Sequence, residues 1–217
     1  KVFETLFSDT DDAPKTDLIK VSRLSSFAPS LFRSNSLDFS QLFRLYKSQS
    51  PNSLLRSLGQ NPAEFGGLIE RHGIAASGLI DNPSSNQKFS SFIEDLALTE
   101  RINTNLKQQN ILIREYLNQH FGDRKKIGFL EIGWRGTIQN SIASLFPEKC
   151  FFGMYMGLAL ERNKLRDNCK VIAYGPNRNL GMADADLLDA INVIEFICLS
   201  NGGSAQRYER HSSRRSE

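Results

Sequence analysis

The 217-residue sequence lacks the features that define several classes of protein. It contains one tryptophan and three cysteines, and no apolar run reaches the roughly 18 to 20 residues that a membrane-spanning helix requires. The N-terminus also lacks the charged-then-apolar order of a secretion signal. We therefore expect a cytoplasmic protein without a membrane span.

Metal and disulfide patterns are also missing. The cysteines Cys150, Cys169 and Cys198 are widely spaced, lie in apolar or strand-like surroundings and form no CxxC pair. No histidine falls at metal-ligand spacing with them. The sequence predicts reduced core cysteines, as in the cytoplasm, with no metal site and no cofactor. His72 and His120 fall near predicted helix ends, where we expect contacts with the last carbonyls.

Neither sign of charge dominates the sequence. Its 27 basic and 24 acidic residues give a net charge of +3, and part of this excess lies in the tail, residues 207–217. A nucleic-acid-binding protein needs a basic stripe on its surface, so we expect no nucleic-acid partner. Because the first residue is Lys1 rather than Met, we also expect the chain to be a piece of a longer polypeptide.

The pattern of apolar residues divides the chain into regions. Residues 1–35 are irregular, with a candidate short strand at residues 18–24. Residues 36–123 carry apolar side chains every three or four positions, which is typical of helices, and residues 84–123 form one long helix or two in tandem. We expect residues 207–217 to be a disordered basic tail.

After residue 123 the apolar period changes. "KKIGFLEIG" is a continuous apolar run, typical of a strand covered on both faces, and "TIQNSIASLF" has the period of a helix. "CFFGMYMGLAL" and "CKVIAYG" predict two more strands, and "DADLLDAINVIEFICLS" predicts a final helix. The strand, helix, strand order favours parallel pairing. We assign residues 124–206 to a Rossmann-like, open and mostly parallel sheet, and the chain to the α/β class.

The stretch "EIGWRGT", residues 131–137, is the most informative for function. Ligands of open α/β sheets lie outside the carboxyl ends of the strands. Gly133 and Gly136 permit close backbone approach, and the helix that opens at Thr137 offers N–H groups to an anion. Arg135 can clamp a phosphate or carboxylate, and Trp134 can present a flat face to a sugar or base. This turn is a predicted anion-binding site.

Other polar residues are candidates for the same site. Glu131 and Glu195 stand in the most apolar contexts of the acidic residues, and a buried carboxylate needs a partner. Ser204 belongs to "NGGS", which can form a second anion-binding turn. Arg23 and Gln139 complete the predicted ligand-binding set.

A purely structural interpretation of these residues stays open. Trp134 can cap the core, and Arg135 can pair with Glu131 or with a helix end. Gly202 and Gly203 can simply end a helix. Glu195 would then lie on the solvated face of that helix, and Arg23 would be solvated as well.

Several of these stretches resemble one family. "FLEIGWRGTIQNSI" resembles the "VDIGWxGSxQ" signature in the C-terminal region of large bacterial proteins described as predicted HAD-superfamily hydrolases and linked to surface-polysaccharide synthesis. "FFGMYMGL" is similar to the family's "GYYLGL" strand, "IEFICLSNGGSAQRY" to its later segment with Glu, Gly-Ser and Tyr, and "VSR" at residues 21–23 to its "VSRxS" stretch. The resemblance covers about residues 125–208 and implies a shared fold.

The hydrolase centre of that family does not match this chain. Such enzymes use an Asp nucleophile, a second acid and an acidic pair around Mg²⁺. "KVFETLF" is similar to a "DxFDTL" start, but Lys1 stands at the nucleophile's place, and the acids of "SDTDD", residues 8–12, follow no apolar strand. We expect this chain to accompany the phosphatase centre rather than carry it.

Three functions follow as hypotheses, and enzymatic activity is left open. The first is an accessory or transferase-like domain of a bacterial surface-polysaccharide biosynthesis protein that binds a phosphorylated sugar or sugar nucleotide. The second is a non-catalytic interaction module of a larger enzyme, which docks another domain of the parent protein through an apolar patch on residues 36–120. The third is a HAD-type, Mg²⁺-dependent phosphatase.

Overall fold

The structure is a computed structural model. The part of the chain that it describes is residues 16–33, 36–37, 39, 42–43, 46–131, 134–160, 164–181, 193, 196 and 203–210. The resemblance at "KVFETLF", the acids of "SDTDD", and the candidate residues Gly133 and Glu195 lie outside these residues.

The first helix, α1 (Arg23–Ser30), begins at a capping box. The Ser22 hydroxyl accepts a hydrogen bond from the Ser25 N–H, and the Ser25 hydroxyl accepts one from the Ser22 N–H. This pairing provides acceptors for N–H groups that have no partner within the helix at its start. The strand predicted at residues 18–24 is therefore wrong, because the two serines start a helix where β-branched and apolar spacing had favoured a strand.

Most of the described part of residues 36–123 is helical. The helices after α1 whose bounds the structure describes in this region are α2 (Pro51–Ser57), α3 (Gly66–Arg71), α4 (Gln87–Ile93) and α5 (Leu96–Phe121). Ser50, Asn86 and Asp95 accept hydrogen bonds from the opening N–H groups of α2, α4 and α5. The stretch 84–123 thus contains two successive α-helices, separated at the Asp95 cap.

Four two-residue strands were not predicted. They form two antiparallel pairs: β1 (Phe32–Arg33) with β2 (Ser36–Leu37), and β3 (Ser48–Gln49) with β4 (Ile80–Asp81). The second pair joins residues more than 30 positions apart. The β3–β4 pair holds the segment just before α2 beside the loop that precedes α4.

Helix α5 links two hydrophobic clusters. Its first half contributes Leu98, Ile102 and Leu106 to a core shared with α1, α2 and α4. Its second half contributes Ile113 and Leu117 to a core that continues under the sheet. Since both cores use one continuous helix, α5 fixes the helical region against the α/β region.

The C-terminal half contains a parallel sheet of three strands, in the order β5–β6–β7. The strands are β5 (Lys126–Glu131), β6 (Cys150–Tyr155) and β7 (Cys169–Ala173), and α6 (Thr137–Leu145) connects the first two. These elements agree with the strand and helix predictions for this region. The described chain is therefore a mixed α/β protein.

Only one face of this sheet is covered by described residues. Ile127, Phe129 and Phe151 point into the core beneath α5 and α6, whereas Leu130 and Met154 on the other face are 77% and 48% exposed. The prediction that the β5 strand is covered on both faces is wrong for the described part, because a continuous apolar run does not reveal whether both faces are covered. Cys150 is exposed on this second face, while Cys169 is buried as predicted.

The C-terminal stretch of residues 203–210 lies along α5. The side chain of Gln109 donates to the Tyr208 carbonyl at 3.1 Å and accepts from the Tyr208 N–H at 2.9 Å. The ring of Tyr208 stacks on Tyr116, with ring centroids 5.1 Å apart. The prediction of a disordered tail is therefore wrong for residues 207–210, since an amide side chain and an aromatic ring of α5 hold them. Residues 211–217 lie outside the described residues.

The two described histidines bind carboxylates. His72 Nε2 lies 3.0 Å from Asp95 Oδ2, and His120 Nδ1 lies 2.5 Å from Asp17 Oδ2. The sequence predicts instead that both contact the last carbonyls of a helix. Both residues do lie at helix ends, but an acidic side chain from elsewhere in the sequence provides the partner.

Candidate functional site

The predicted site lies at the carboxyl end of β5. The chain leaves the sheet after Glu131 and enters α6 at Thr137, through Trp134, Arg135 and Gly136. Gly136 has φ +61°, in the left-handed region, and occupies the N-cap position of α6. A glycine is favoured there because a side chain would be strained.

Among the described residues, no side chain caps the start of α6. Gly136 has no side chain to offer, and the helix shows no side-chain capping bond at its first turn within the described residues. Ser50 and Asp95, by contrast, bind the first N–H groups of α2 and α5, whereas α3 also begins without a side-chain cap. The opening N–H groups of α6 therefore retain their partial positive charge and their capacity to donate.

Trp134 is buried next to this helix start. It is 6% exposed, and its carbonyl accepts a hydrogen bond from the Ala159 N–H at 2.7 Å. Its indole Nε1 is also buried and has no hydrogen-bond acceptor in the described part of the chain. A buried indole N–H usually finds a partner, so this donor is an unsatisfied feature of the site.

The side chain of Arg135 is exposed. It stands between the buried Trp134 and Gly136, one residue before the helix cap. Its position in the sequence thus places a cation next to the uncapped helix start, where an anion would already be favoured.

Below the helix start, a polar network links β5, β6 and α6. The Tyr155 hydroxyl lies 2.7 Å from Gln139 Oε1 and 3.1 Å from Glu131 Oε2. Gln139 is fully buried, and its Nε2 donates to the Lys170 carbonyl at 3.0 Å. Both ends of the Gln139 amide are therefore engaged within the protein, and this residue supports the turn rather than projecting from it.

Burial changes the acidity of two members of this network. Desolvation raises the pKa of Glu131, and the hydrogen bond from Tyr155 partly opposes that rise. Desolvation, with the nearby Glu131 as a second cause, raises the pKa of Tyr155. The tyrosine thus stays a neutral hydrogen-bond donor, and the carboxyl group is the member of the network that can change its charge.

Arg23 and Ser204 each follow or precede a residue of one hydrogen bond between the start of α1 and the C-terminal stretch. Arg23 is the first residue of α1, and the preceding Ser22 donates from its hydroxyl to the Ala205 carbonyl at 2.5 Å. Ser204 is the neighbour of Ala205, and both Arg23 and Ser204 are exposed. Helix α1 packs against α6, so this place and the uncapped turn belong to the same α/β region.

The described candidate residues therefore lie in three separate groups and do not line one common pocket. Glu131 and Gln139 share Tyr155, while Trp134, Arg135, Gly136 and Thr137 form the turn above them. Arg23 and Ser204 stand at the start of α1. Gly133 and Glu195 lie outside the described residues.

Two residues that matter at this site were not predicted. Tyr155 connects Glu131 with Gln139, and Gly153 leaves the space in which the Gln139 side chain lies. Both belong to the apolar stretch "CFFGMYMGLAL". A glycine inside a strand often marks a close approach of another group, and that signal was present in the sequence.

A separate groove lies on the helical side of the molecule. It has a volume of about 420 Å³ and is bordered by α1, the end of α2, α5 and the C-terminal stretch. Its described rim includes Arg56, Gln60, Asn105, Gln206 and Arg207. None of the described ligand-site candidates lines it, and the sequence analysis did not identify it.

Within the described ranges, no group of three or more His, Cys, Asp or Glu side chains could hold a metal ion. The helices among these residues include none with the length and apolarity to cross a membrane.

No protein-family model matches the chain, and no curated protein matches it.

Proposed function

We propose that this chain binds a phosphorylated sugar or sugar nucleotide at the turn of residues 133–137, as an accessory or transferase-like domain of a bacterial surface-polysaccharide biosynthesis protein. The proposal includes a Rossmann-like organisation of the β5–β6–β7 sheet around this turn. The observation that carries it is the uncapped start of α6 beside the buried, unsatisfied indole N–H of Trp134.

Each part of the turn suits one part of such a ligand. The α6 N–H groups and the Arg135 guanidinium favour a phosphate, since both donate hydrogen bonds to an anion. The Trp134 Nε1–H suits a sugar or base oxygen, because leaving a buried donor unpaired costs about 1–3 kcal/mol. The polar network of Tyr155 and Gln139 holds the helix start against the sheet.

Titration followed by tryptophan fluorescence tests this proposal directly. Trp134 is the only tryptophan of the chain, so its emission reports on the turn without background. We expect a saturable change on addition of UDP-glucose or glucose 1-phosphate. Amide chemical shifts should change at Thr137 and Ile138. No saturable change with either probe would contradict the proposal.

Two variants locate the binding site. Arg135→Gln should weaken binding roughly tenfold or more, because a hydrogen bond to a charged group contributes about 1.5–3 kcal/mol. Arg56→Gln is the matched control, since Arg56 is an exposed arginine at the end of α2. Equal losses in the two variants would place the ligand elsewhere, or reveal only a general charge effect.

A further inference from the structure

The groove on the helical side of the molecule continues along α5. Its volume of about 420 Å³ adjoins a second groove of about 470 Å³, and Asn105, Gln109 and Arg207 border both. The walls belong to α1, to α2 and the loop after it, to α5 and to the C-terminal stretch. None of the described residues of the turn at 133–137 borders either groove, so this depression is separate from the site proposed above.

Amide side chains with unused hydrogen-bonding groups line the first groove. Asn105 is half-buried, and its side chain forms no hydrogen bond with the described residues. Among the same residues, Gln60 uses only its Nε2, which donates to the Leu58 carbonyl at 2.9 Å, and Asn61 uses only its Oδ1, which accepts from the Ala63 N–H at 3.3 Å. These side chains therefore offer both donors and acceptors to a ligand.

Helix α5 already binds a main chain through one such amide. Gln109 donates to the Tyr208 carbonyl at 3.1 Å and accepts from the Tyr208 N–H at 2.9 Å. Asn105 lies one turn earlier on the same face of α5, about 6 Å along the helix axis. Two residues of an extended peptide span nearly the same distance, about 6.6 Å. The amides of Asn105 and Gln109 thus follow the repeat of an extended peptide backbone.

The floor of the first groove suits the side chains of a peptide. It is aliphatic and consists of Leu24, Ala28, Pro29, Leu58 and Leu106. No aromatic ring is among the described residues that line it, whereas nucleic-acid bases are commonly held by stacking on such rings. An aliphatic floor below a row of amides therefore favours a peptide with an apolar side chain over a nucleotide.

The charge of the same groove favours an acidic ligand. Arg56 and Arg207 border it, and none of its described lining residues is acidic. Arg207 is paired with Glu209, which borders the second groove. Arg56 is exposed and has no acidic partner among the described residues. A carboxylate that enters the first groove would therefore pair with the Arg56 guanidinium, which can donate two parallel hydrogen bonds to it.

We propose that this groove binds an extended peptide segment of a partner protein, which carries an acidic residue next to an apolar one. The Asn105 amide binds the main chain of the peptide in the way that Gln109 binds the main chain of Tyr208. The apolar side chain of the peptide fills the aliphatic floor, and its carboxylate pairs with Arg56. Extended peptides are commonly recognised through main-chain hydrogen bonds together with pockets for single side chains. The proposal does not depend on the ligand of the turn at residues 133–137.

Selection from a phage-displayed library of random octapeptides tests the proposal on the whole chain. The selected peptides are synthesised with a fluorescein label, and their binding is measured by fluorescence polarisation. We expect a consensus with Asp or Glu next to an apolar position, and saturable binding that Asn105→Ala weakens about tenfold. Asn118→Ala, which changes an exposed asparagine of α5, is the control and should bind like the wild type. A library that yields no saturable peptide, or peptides that bind Asn105→Ala and the wild type equally, would overturn the proposal.

N-methylation of a selected peptide tests whether its main chain is extended. A methyl group placed on each amide nitrogen in turn should weaken binding about tenfold at alternate positions, since the N–H groups of an extended chain alternate in direction. Losses that recur every three or four residues would indicate a bound helix and would contradict an extended peptide.

Arg56→Gln tests the charge pairing and separates the two sites. This variant should bind the acidic peptides about tenfold more weakly, while its titration with UDP-glucose, followed by Trp134 fluorescence, stays like that of the wild type. Lys164→Gln, which removes an exposed cation outside both grooves, should leave peptide binding unchanged. Equal affinity of Arg56→Gln and the wild type for the acidic peptides would overturn the pairing.

Discussion

A Cβ atom added to Gly153 would lie 1.9 Å from Oε1 of Gln139. The Gln139 side chain therefore occupies the space that any other residue at position 153 would fill. This contact allows α6 to lie close against β6 and sets the position of the turn at its start. The candidate site depends on a residue that has no side chain of its own.

Gly153→Ala should destabilise the protein. The added methyl group would also lie 2.4 Å from Cε2 of Tyr155, so the core has to shift. We expect a loss of about 1–3 kcal/mol in the free energy of unfolding, as is typical of overpacked cores, measured by urea denaturation. Gly128→Ala is the control, because a Cβ at Gly128 meets no atom within 4 Å. Equal stability of the two variants would contradict the close contact.

Tyr155→Phe should weaken the network without changing its packing. Tyr155 is 1% exposed and its hydroxyl joins Glu131 to Gln139. Loss of the hydroxyl leaves the buried Gln139 Oε1 without this donor, and we expect a cost of about 1–3 kcal/mol in denaturation experiments. Tyr174→Phe is the control, since Tyr174 is 99% exposed.

The same variant has an effect on acidity that a packing defect would not produce. The pKa of Glu131 is raised by burial and lowered by the Tyr155 hydrogen bond. Without the hydroxyl, the pKa of Glu131 should rise further, which carbon NMR of its side-chain carboxyl can measure. An unchanged or lower pKa of Glu131 in Tyr155→Phe would show that the hydroxyl does not stabilise the carboxylate.

The periodic part of the fold could be predicted from the sequence, because helix and strand periods are local. The apolar spacing within α5 and the short runs of β5, β6 and β7 each contain enough residues to show a period. The pair β3–β4 could not be predicted, since two-residue strands carry no period and pair across more than 30 positions. The capping box of α1 has Ser25 where the usual pattern has Glu or Gln, so the apolar residues of 18–24 favoured a strand in the sequence analysis.

The site was predictable only in part. The turn at Trp134 and Gly136 follows from the change of period between a strand and a helix, which is a local signal. Tyr155 was not predicted as a site residue because it lies in an apolar run, where a tyrosine is equally compatible with packing in the core. The contact of Gly153 with Gln139 depends on the depth at which α6 packs on the sheet, and no short stretch of sequence encodes that distance.

Acid should weaken the cap of α5. The hydrogen bond from His72 holds the pKa of Asp95 below its ordinary value of 3.8, while partial burial opposes this effect, and Arg71 lies 3.9 Å from the same carboxylate. A lowered pKa stabilises the fold at every pH above 3.8, and this contribution is lost as the pH falls through the folded-state value. The melting temperature of the wild type should therefore fall in that acidic range.

Asp95→Ala separates this contribution from general acid unfolding. The variant loses the hydrogen bond to the Ala97 N–H at the start of α5, so it should melt below the wild type at neutral pH. The difference between the two melting temperatures should shrink below pH 3.8. Asp123→Ala, which removes an exposed carboxylate, serves as the control. A difference that stays constant across this pH range would show that the Asp95 carboxylate charge is not involved.

Lys149→Met should destabilise the junction between α5 and the sheet. Lys149 is 5% exposed, and its Nζ donates to the carbonyls of Gly122 at 2.8 Å and Arg124 at 2.9 Å. These carbonyls follow the end of α5, where the helix dipole also favours a cation. Methionine keeps the apolar stem but removes the donor. We expect a loss of about 1.5–3 kcal/mol, the usual contribution of hydrogen bonds from charged groups.

Lys164→Met is the matched change for this experiment, because it removes an exposed ammonium group from the same half of the chain. Its free energy of unfolding should stay within about 0.5 kcal/mol of the wild type. Hydrogen exchange should also be faster at the Cys150 N–H in Lys149→Met, since that amide donates to the Lys125 carbonyl at 2.7 Å beside the lost contacts. Equal free energies of unfolding in Lys149→Met and Lys164→Met would contradict the prediction. Such a result would mean that the two hydrogen bonds of the Lys149 ammonium group do not stabilise the junction of α5 with the sheet.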